Sequence, residues 1–115
     1  MEQLNRIEIR GNVGNVNIVK VGEGKVAHFS VATNYAYKGR NNEPVIETTW
    51  HTVTAWEGKN IPDLGIISKG CPIYVRGRLK NQKYKASDGI ERTSYEVIAD
   101  IVEPVDKQTA AQYGG

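Results

Sequence analysis

Polar and apolar side chains alternate from Asn5 to Arg10 and the pattern stops at Gly11, which predicts a first strand with one buried face. Asn12–Asn15 is turn-like, Val16–Val21 is a further extended run, and Gly22–Lys25 is a turn. Val26–Thr33 reads as a strand with Ala27, Phe29 and Val31 pointing inward. Lys38–Pro44 is polar and rich in strand breakers, the composition of a long hairpin tip. Residues 48–57 then read Thr-Thr-Trp-His-Thr-Val-Thr-Ala-Trp-Glu and hold both tryptophans of the chain. Alternation places Trp50, Thr52, Thr54 and Trp56 on one face and His51, Val53 and Ala55 on the other.

Asn60 reads as an N-cap, Pro62 suits a first helical turn, and Lys69–Gly70 closes a short helix of about two turns. Ile73–Lys85 is a long strand, Ala86–Gly89 a turn carrying the Asp-Gly hairpin signal, and Ile90–Val102 the returning strand. Periodicity ends after Pro104, which predicts a domain over 1–104 and a flexible tail over 105–115. Three strands, one short helix and two strands is the order of an all-β OB-fold, a five-stranded Greek-key barrel that binds oligonucleotides and oligosaccharides. The same hairpin-rich pattern also suits a sandwich or an SH3-like barrel.

Function is suggested by what the outward faces carry. Threonine fills a core face poorly, so Trp50 and Trp56 are expected on a partly open surface, where flat rings stack against nucleic-acid bases. On the long strand Arg76, Arg78, Lys80, Gln82 and Tyr84 share one face, while Ile73, Val75, Gly77 and Leu79 share the core face. A tryptophan in a small barrel also serves as a core or rim residue, and a tyrosine can simply cover a hairpin. The combination of both tryptophans, Tyr84 and the basic stripe favours a binding surface. Tyr35 and Tyr37 have the parity of Phe29, so their exposure is expected to need a bulge or bend.

A chain of 115 residues is one domain. Net charge is only +2, yet Arg76, Arg78, Lys80, Lys83 and Lys85 crowd one segment and Lys38 and Arg40 another. Phosphate attraction acts through such local density. No apolar run is long enough for a membrane span, Met1–Arg6 lacks secretory features, and Cys71 has no internal partner. A cytoplasmic protein is the expectation. His28 and His51 lie on separate strands without carboxylate or cysteine at ligand spacing, so neither a metal site nor a catalytic triad is expected. Gly22–Lys25 lacks the spacing of a phosphate loop. No enzyme activity and no cofactor are predicted.

From Asn5 to about Val102 the chain resembles the bacterial single-stranded DNA-binding protein family. The likeness is carried by Gly11–Gly14, Phe29–Thr33, Thr49–Val53, Lys69–Gly70, Ile73–Leu79 and Tyr95–Val97. The resemblance implies an OB-fold homotetramer with single-stranded DNA wrapped around it, acting in replication, recombination and repair. It places base-stacking aromatics at Tyr37, Trp50, Trp56 and Tyr84; the basic clusters of the sequence add phosphate attraction from Lys38, Arg76, Arg78, Lys80, Lys83 and Lys85 as an expectation. It also implies a subunit contact through Asn5, Arg6, Ile7, Glu8, Ile9 and Arg10, with His51 nearby. Relatives usually continue into a linker ending in an acidic tip that recruits replication and repair enzymes. This chain ends at Gly115 without one, as a chain cut where a linker begins or a short form from a mobile element, so that recruitment is not carried over. Residues Gly58–Ser68 also differ from the family's helix. Two further readings keep the fold: an accessory protein of replication restart or conjugation that mainly grips another protein, and an RNA binder.

Overall fold

Side-chain alternation builds five long strands: β1 (Ile7–Val21), β2 (Gly24–Lys38), β3 (Pro44–Trp56), β4 (Pro72–Lys85) and β5 (Glu91–Pro104). The computed structural model describes residues 2–58, 60–61 and 63–105. The strands close into a barrel in the order β1-β2-β3-β5-β4. Every contact is antiparallel except that of β3 with β5, which is parallel. This is the OB-fold, a Greek-key barrel.

Asn12–Asn15, expected as a turn, is instead a bulge inside β1. Its pairing with β2 shifts between Val13 and Val16, so one strand serves β4 through Ile7–Asn12 and β2 from Asn12 onward. The bulge bends the strand so that it takes part in both halves of the barrel. The inward residues Ile9, Val13, Phe29, Val31, Val53, Ala55, Ile73, Val75, Val97 and Val102 form the core. Ile61, Leu64 and Ile67 of the β3–β4 connection plug the barrel end beside them and are buried. Burying each such aliphatic side chain contributes about 1.5–3 kcal/mol.

The expected two-turn helix is a single 3-10 turn, Leu64–Ile66. Its cap is Asp63, whose carboxylate accepts from Gly65 N at 2.8 Å, and not Asn60; Pro62 lies outside the described residues. The turn serves to lower Leu64 into the barrel mouth, which one helical turn accomplishes. Val105 still donates to the Pro72 carbonyl at 3.2 Å, and the remaining tail residues, 106–115, lie outside the described residues.

Two hairpins run past the barrel. β3 pairs with β5 only at Val53–Ala55, so both strands begin well before they meet. Because they run parallel, the β2–β3 tip and the β4–β5 tip project from the same end. At ~3.3 Å per residue, Pro44 starts roughly 30 Å and Glu91 roughly 20 Å before the first shared rung. Leu79, expected in the core, is 43% exposed although its parity is inward, because β4 has run past β1, whose pairing with it stops at Ile7–Gly77.

Gly77 is required where β4 crosses a second bulge, in which β5 leaves Asp100 unpaired between Ala99 and Ile101. A Cβ there would strike the backbone carbonyl of Ile98. Gly77→Ala is therefore expected to destabilise the fold by about 1–3 kcal/mol in urea denaturation; an unchanged midpoint would show that this close approach is dispensable.

Candidate nucleic-acid interface

The outer face of β3 carries the tryptophans as parity requires. Trp50 is 61% and Trp56 52% exposed, while His51 is half-buried and Val53 and Ala55 are fully buried. The rings stand on one face about 20 Å apart along the strand. Small residues hold Trp50 flat against the barrel. Ala32 is its partner in register, and Gly14 of the β1 bulge leaves the space its ring occupies. A Cβ at Gly14 would sit 2.5 Å from Trp50 Cζ3 and 2.7 Å from Ser30 Oγ. Trp56 is supported differently. Val26, its partner on β2, is only 2% exposed although it points outward, because Val19 and Trp56 flank it.

Further aromatics stand on the overhanging hairpins, with Tyr37 43% and Tyr84 48% exposed. Tyr35 and Tyr37 form a tilted pair with centroids 6.0 Å apart. Their exposure does not come from a bulge. The β2–β3 ladder is unbroken from Val26–Trp56 to Lys38–Pro44, and the inward face simply has no core left to cover. Tyr37 consequently lies on the opposite face of its hairpin from Trp50. Tyr84 shares the face of Arg78 and Lys80, as expected.

The cations differ more than their spacing suggests. Lys38, Arg78, Lys80 and Lys85 are exposed and have no ion pair among the described residues. Lys83 stands 3.9 Å from Glu91, and both Lys83 and Lys85 point away from the face of Lys80. Arg76 Nε donates to Asp100 at 3.2 Å; that bond, with the charge of Asp100, holds the guanidinium still more firmly protonated. The bulge that frees Asp100 thus consumes one cation of the predicted stripe.

Across the barrel from β3, the outer face of β1 and β4 is self-paired. Tyr74 donates to Glu8 at 2.7 Å, Arg6 pairs with Glu8 at 3.3 Å, and the Arg10 guanidinium lies 5.6 Å from the Tyr74 ring centre. These bonds, the one from Tyr74 foremost, hold the Glu8 carboxyl below its ordinary range and push the Tyr74 hydroxyl up. A depression of about 550 Å³ opens here, beside Glu103 and away from the tryptophans. Stacking needs a flat bare ring and not a cavity, so the rings on β3 are the better candidate. Asn5 extends this side as a false rung, its amide exchanging two hydrogen bonds with the Leu79 backbone at 2.8 and 2.9 Å. Ile7–Arg10 pairs with β4 but not with β2, so that edge has no strand partner among the described residues, whereas Gly11 lies against the Ala32 backbone. His51 stands within 2.9 Å of the Thr33 hydroxyl, and burial lowers its pKa from the ordinary 6.5.

One constellation was not anticipated. Between the tryptophans, Thr54 points outward yet is 5% exposed, bonded to His28 of β2 and to Glu96 of β5, which in turn accepts from Gln82 of β4. Parity shows Thr54 beside the tryptophans, but only the β3–β5 register brings Glu96 to it. Among the described residues no cluster of three or more His, Cys, Asp or Glu side chains is arranged to hold a metal ion. No described helix is long and apolar enough to cross a membrane.

Comparison with known proteins agrees with this geometry. The profile of the single-strand binding protein family matches residues 4–105. A single-stranded DNA-binding protein of Neisseria meningitidis is 34% identical over 102 residues, covering 84% of this chain and 57% of that relative. The chain thus spans little more than half the length of that relative. The mitochondrial single-stranded DNA-binding protein of Oryctolagus cuniculus is 30% identical, covering 92% of this chain and 78% of its own. A structure of the Plasmodium falciparum SSB in complex with ssDNA superposes with a TM-score of 0.76 at 29% identity, over 92% of this chain and 98% of that one. The small single-stranded DNA-binding protein of Streptomyces coelicolor shares the fold, with a TM-score of 0.71 at 24% identity over 94% and 99% of the two chains.

The Gly14 contact has a direct consequence. In a Trp56→Phe background, Gly14→Val is expected to lift the Trp50 ring off β1 and raise its collisional quenching by acrylamide toward that of free indole. Equal quenching before and after would mean that Gly14 does not seat the ring.

Proposed function

This chain belongs to the single-strand binding protein family, whose members bind and are not enzymes, and from that premise we propose that it binds single-stranded DNA with little regard to sequence. In this reading it holds and protects exposed strands during replication, recombination and repair. The observation that carries the proposal is the pair of bare indoles on one outer strand face, held from below by Gly14, Ala32 and Val26. A stacked base is typically worth ~1–3 kcal/mol, and every base has a flat face to offer. Tyr84 extends the track along the β4–β5 hairpin, while Tyr37 offers an exposed ring on the reverse face of the β2–β3 hairpin, within reach only of a strand that wraps around it. Lys38, Arg78, Lys80 and Lys85 attract phosphates; Lys83 and Arg76 contribute less because each already faces a carboxylate.

We also infer that the working form is a homotetramer. The edge of Ile7–Arg10, without a strand partner among the described residues, supports this, since an unpaired row of backbone groups is a ready template for a second chain. Asn5–Arg10 then lies at a subunit contact, with His51 close to it. A cytoplasmic, nucleoid-associated setting is part of the proposal; the Neisseria relative is in keeping with it, whereas other relatives are named as mitochondrial. Recruitment of replication and repair proteins through an acidic tip forms no part of the proposal.

Oligo-dT is expected to quench tryptophan emission at micromolar protein and low salt. With about four phosphates neutralised, log K should fall against log salt with a slope near −3. Trp50→Ala and Trp56→Ala should each weaken binding by about 5- to 150-fold, the range of one lost stack. Arg76→Ala should weaken it less than Lys80→Ala. Unchanged emission at low salt would end the proposal, and normal binding by both alanine variants would remove the stacking assignment. Light scattering on the sized protein is expected to give four chain masses; a monomer would remove the subunit contact.

A further inference from the structure

The bulge under Trp50 is clamped on both sides. Gly14 and Asn15 are the residues that the β1–β2 pairing skips between Val13 and Val16. On one side Asn15 N donates to Ser30 Oγ at 3.0 Å. On the other, Val13 is buried, and both its backbone groups are met by the β3–β4 connection. Its N–H donates to the Cys71 carbonyl at 2.9 Å, and its carbonyl accepts from Gly70 N at 2.7 Å.

The bond from Gly70 is irregular, and the irregularity calls for glycine. A regular β1–β4 ladder carried past Asn12–Pro72 would have Cys71 both accept from Val13 and donate to it. Cys71 N donates instead to the Ser68 carbonyl at 3.1 Å, so the bond to Val13 comes from one residue earlier. Gly70 delivers it with φ at +85°, a left-handed conformation that residues with a side chain rarely adopt. A Cβ built there meets nothing within 4 Å, so the demand falls on the backbone alone. Leu64 and Ile67 anchor the same connection in the core. Lys69–Gly70 looks in sequence like the close of a helix, but its work is to fix the β1 bulge.

The bulge in turn seats the ring, because Trp50 occupies the space above Gly14 that a Cβ would fill. We infer that Gly70 and Ser30 are positioning residues for base stacking: they hold the β1 bulge from either side and so fix the Trp50 ring in the attitude that receives a base. Gly70 has no side chain with which to touch DNA, so its contribution runs through Val13 and Gly14. The inference rests on the single-stranded DNA reading of the β3 face.

The test measures oligo-dT affinity on the intact protein and, in a Trp56→Phe background, acrylamide quenching of Trp50. Gly22→Ala is the matched control, since Gly22 is also left-handed with open space around it but lies at the far turn of the β1–β2 hairpin. Gly70→Ala is expected to weaken oligo-dT binding about 3- to 10-fold, part of the loss of a whole stack, and to raise Trp50 quenching. Gly22→Ala should do neither. Gly70→Asn tolerates the left-handed conformation and should recover most of the affinity. With Trp50→Ala already in place, Gly70→Ala should cost no further affinity, because the ring it positions is gone. Ser30→Ala should raise Trp50 quenching in the same way, and it decides the matter should Gly70→Ala fail to fold. Trp50 quenching that neither variant changes, or a loss of affinity that persists undiminished once Trp50 is removed, overturns the inference while leaving DNA binding intact. Failure of the wild type to bind oligo-dT overturns the DNA-binding reading and the inference with it.

Discussion

Three rungs of parallel pairing, Val53–Val97, Thr54–Ile98 and Ala55–Ala99, close the barrel and set the direction of everything that leaves it. Antiparallel ladders on either side would each be content as separate hairpins. The short parallel contact joins them and buries Val53, Ala55 and Val97 at their meeting point. Since β3 and β5 run the same way through it, both long hairpins must extend from one end, with their tyrosines and lysines. The same rungs place Glu96 against Thr54 and so set the polar patch between the tryptophans. Fold and stacking track both depend on those few residues.

Electrostatics divides the molecule into two kinds of surface. Around β1 and β4 nearly every charge is answered locally: Glu8 by Arg6 and Tyr74, Arg76 by Asp100. Around the hairpins Lys38, Arg78, Lys80 and Lys85 stand free of ion pairs among the described residues. A small total charge of +2 therefore conceals a basic region able to attract phosphates and a neutralised region better suited to meeting another chain. Exposed pairs of the second kind add little stability, so their significance lies in what they withhold from DNA.

Much of the site was legible in side-chain parity. The period of two on β3 separated Trp50 and Trp56 from Val53 and Ala55 correctly, and Asp88–Gly89 marked a real hairpin, closed by the Asp88 carboxylate accepting from Ile90 N. Parity assigns a face but says nothing about where a barrel ends. Parity therefore puts Leu79 inside and asks for a bulge at Tyr35 and Tyr37, where the structure has neither. The bulges themselves leave only faint signals: Asn12–Asn15 looked like a turn, and nothing in sequence paired Asp100 with Arg76. In the short connection Asn60 and Pro62 imitate a helix start in sequence, whereas Asp63 caps a single 3-10 turn. The His28–Thr54–Glu96 arrangement joins three strands and is visible only once their register is known.

The claim at the centre of this account is that bases lie on the outer face of β3. Nuclear magnetic resonance of isotope-labelled protein titrated with oligo-dT tests it most directly, because aromatic ring currents and through-space contacts report which rings touch bases. The account predicts large shifts of the Trp50 and Trp56 indole signals, a shift of the Tyr84 ring, and cross-peaks between those rings and thymine protons. Indole signals that stay in place while those of Glu8, Tyr74 and Arg76 move would contradict it.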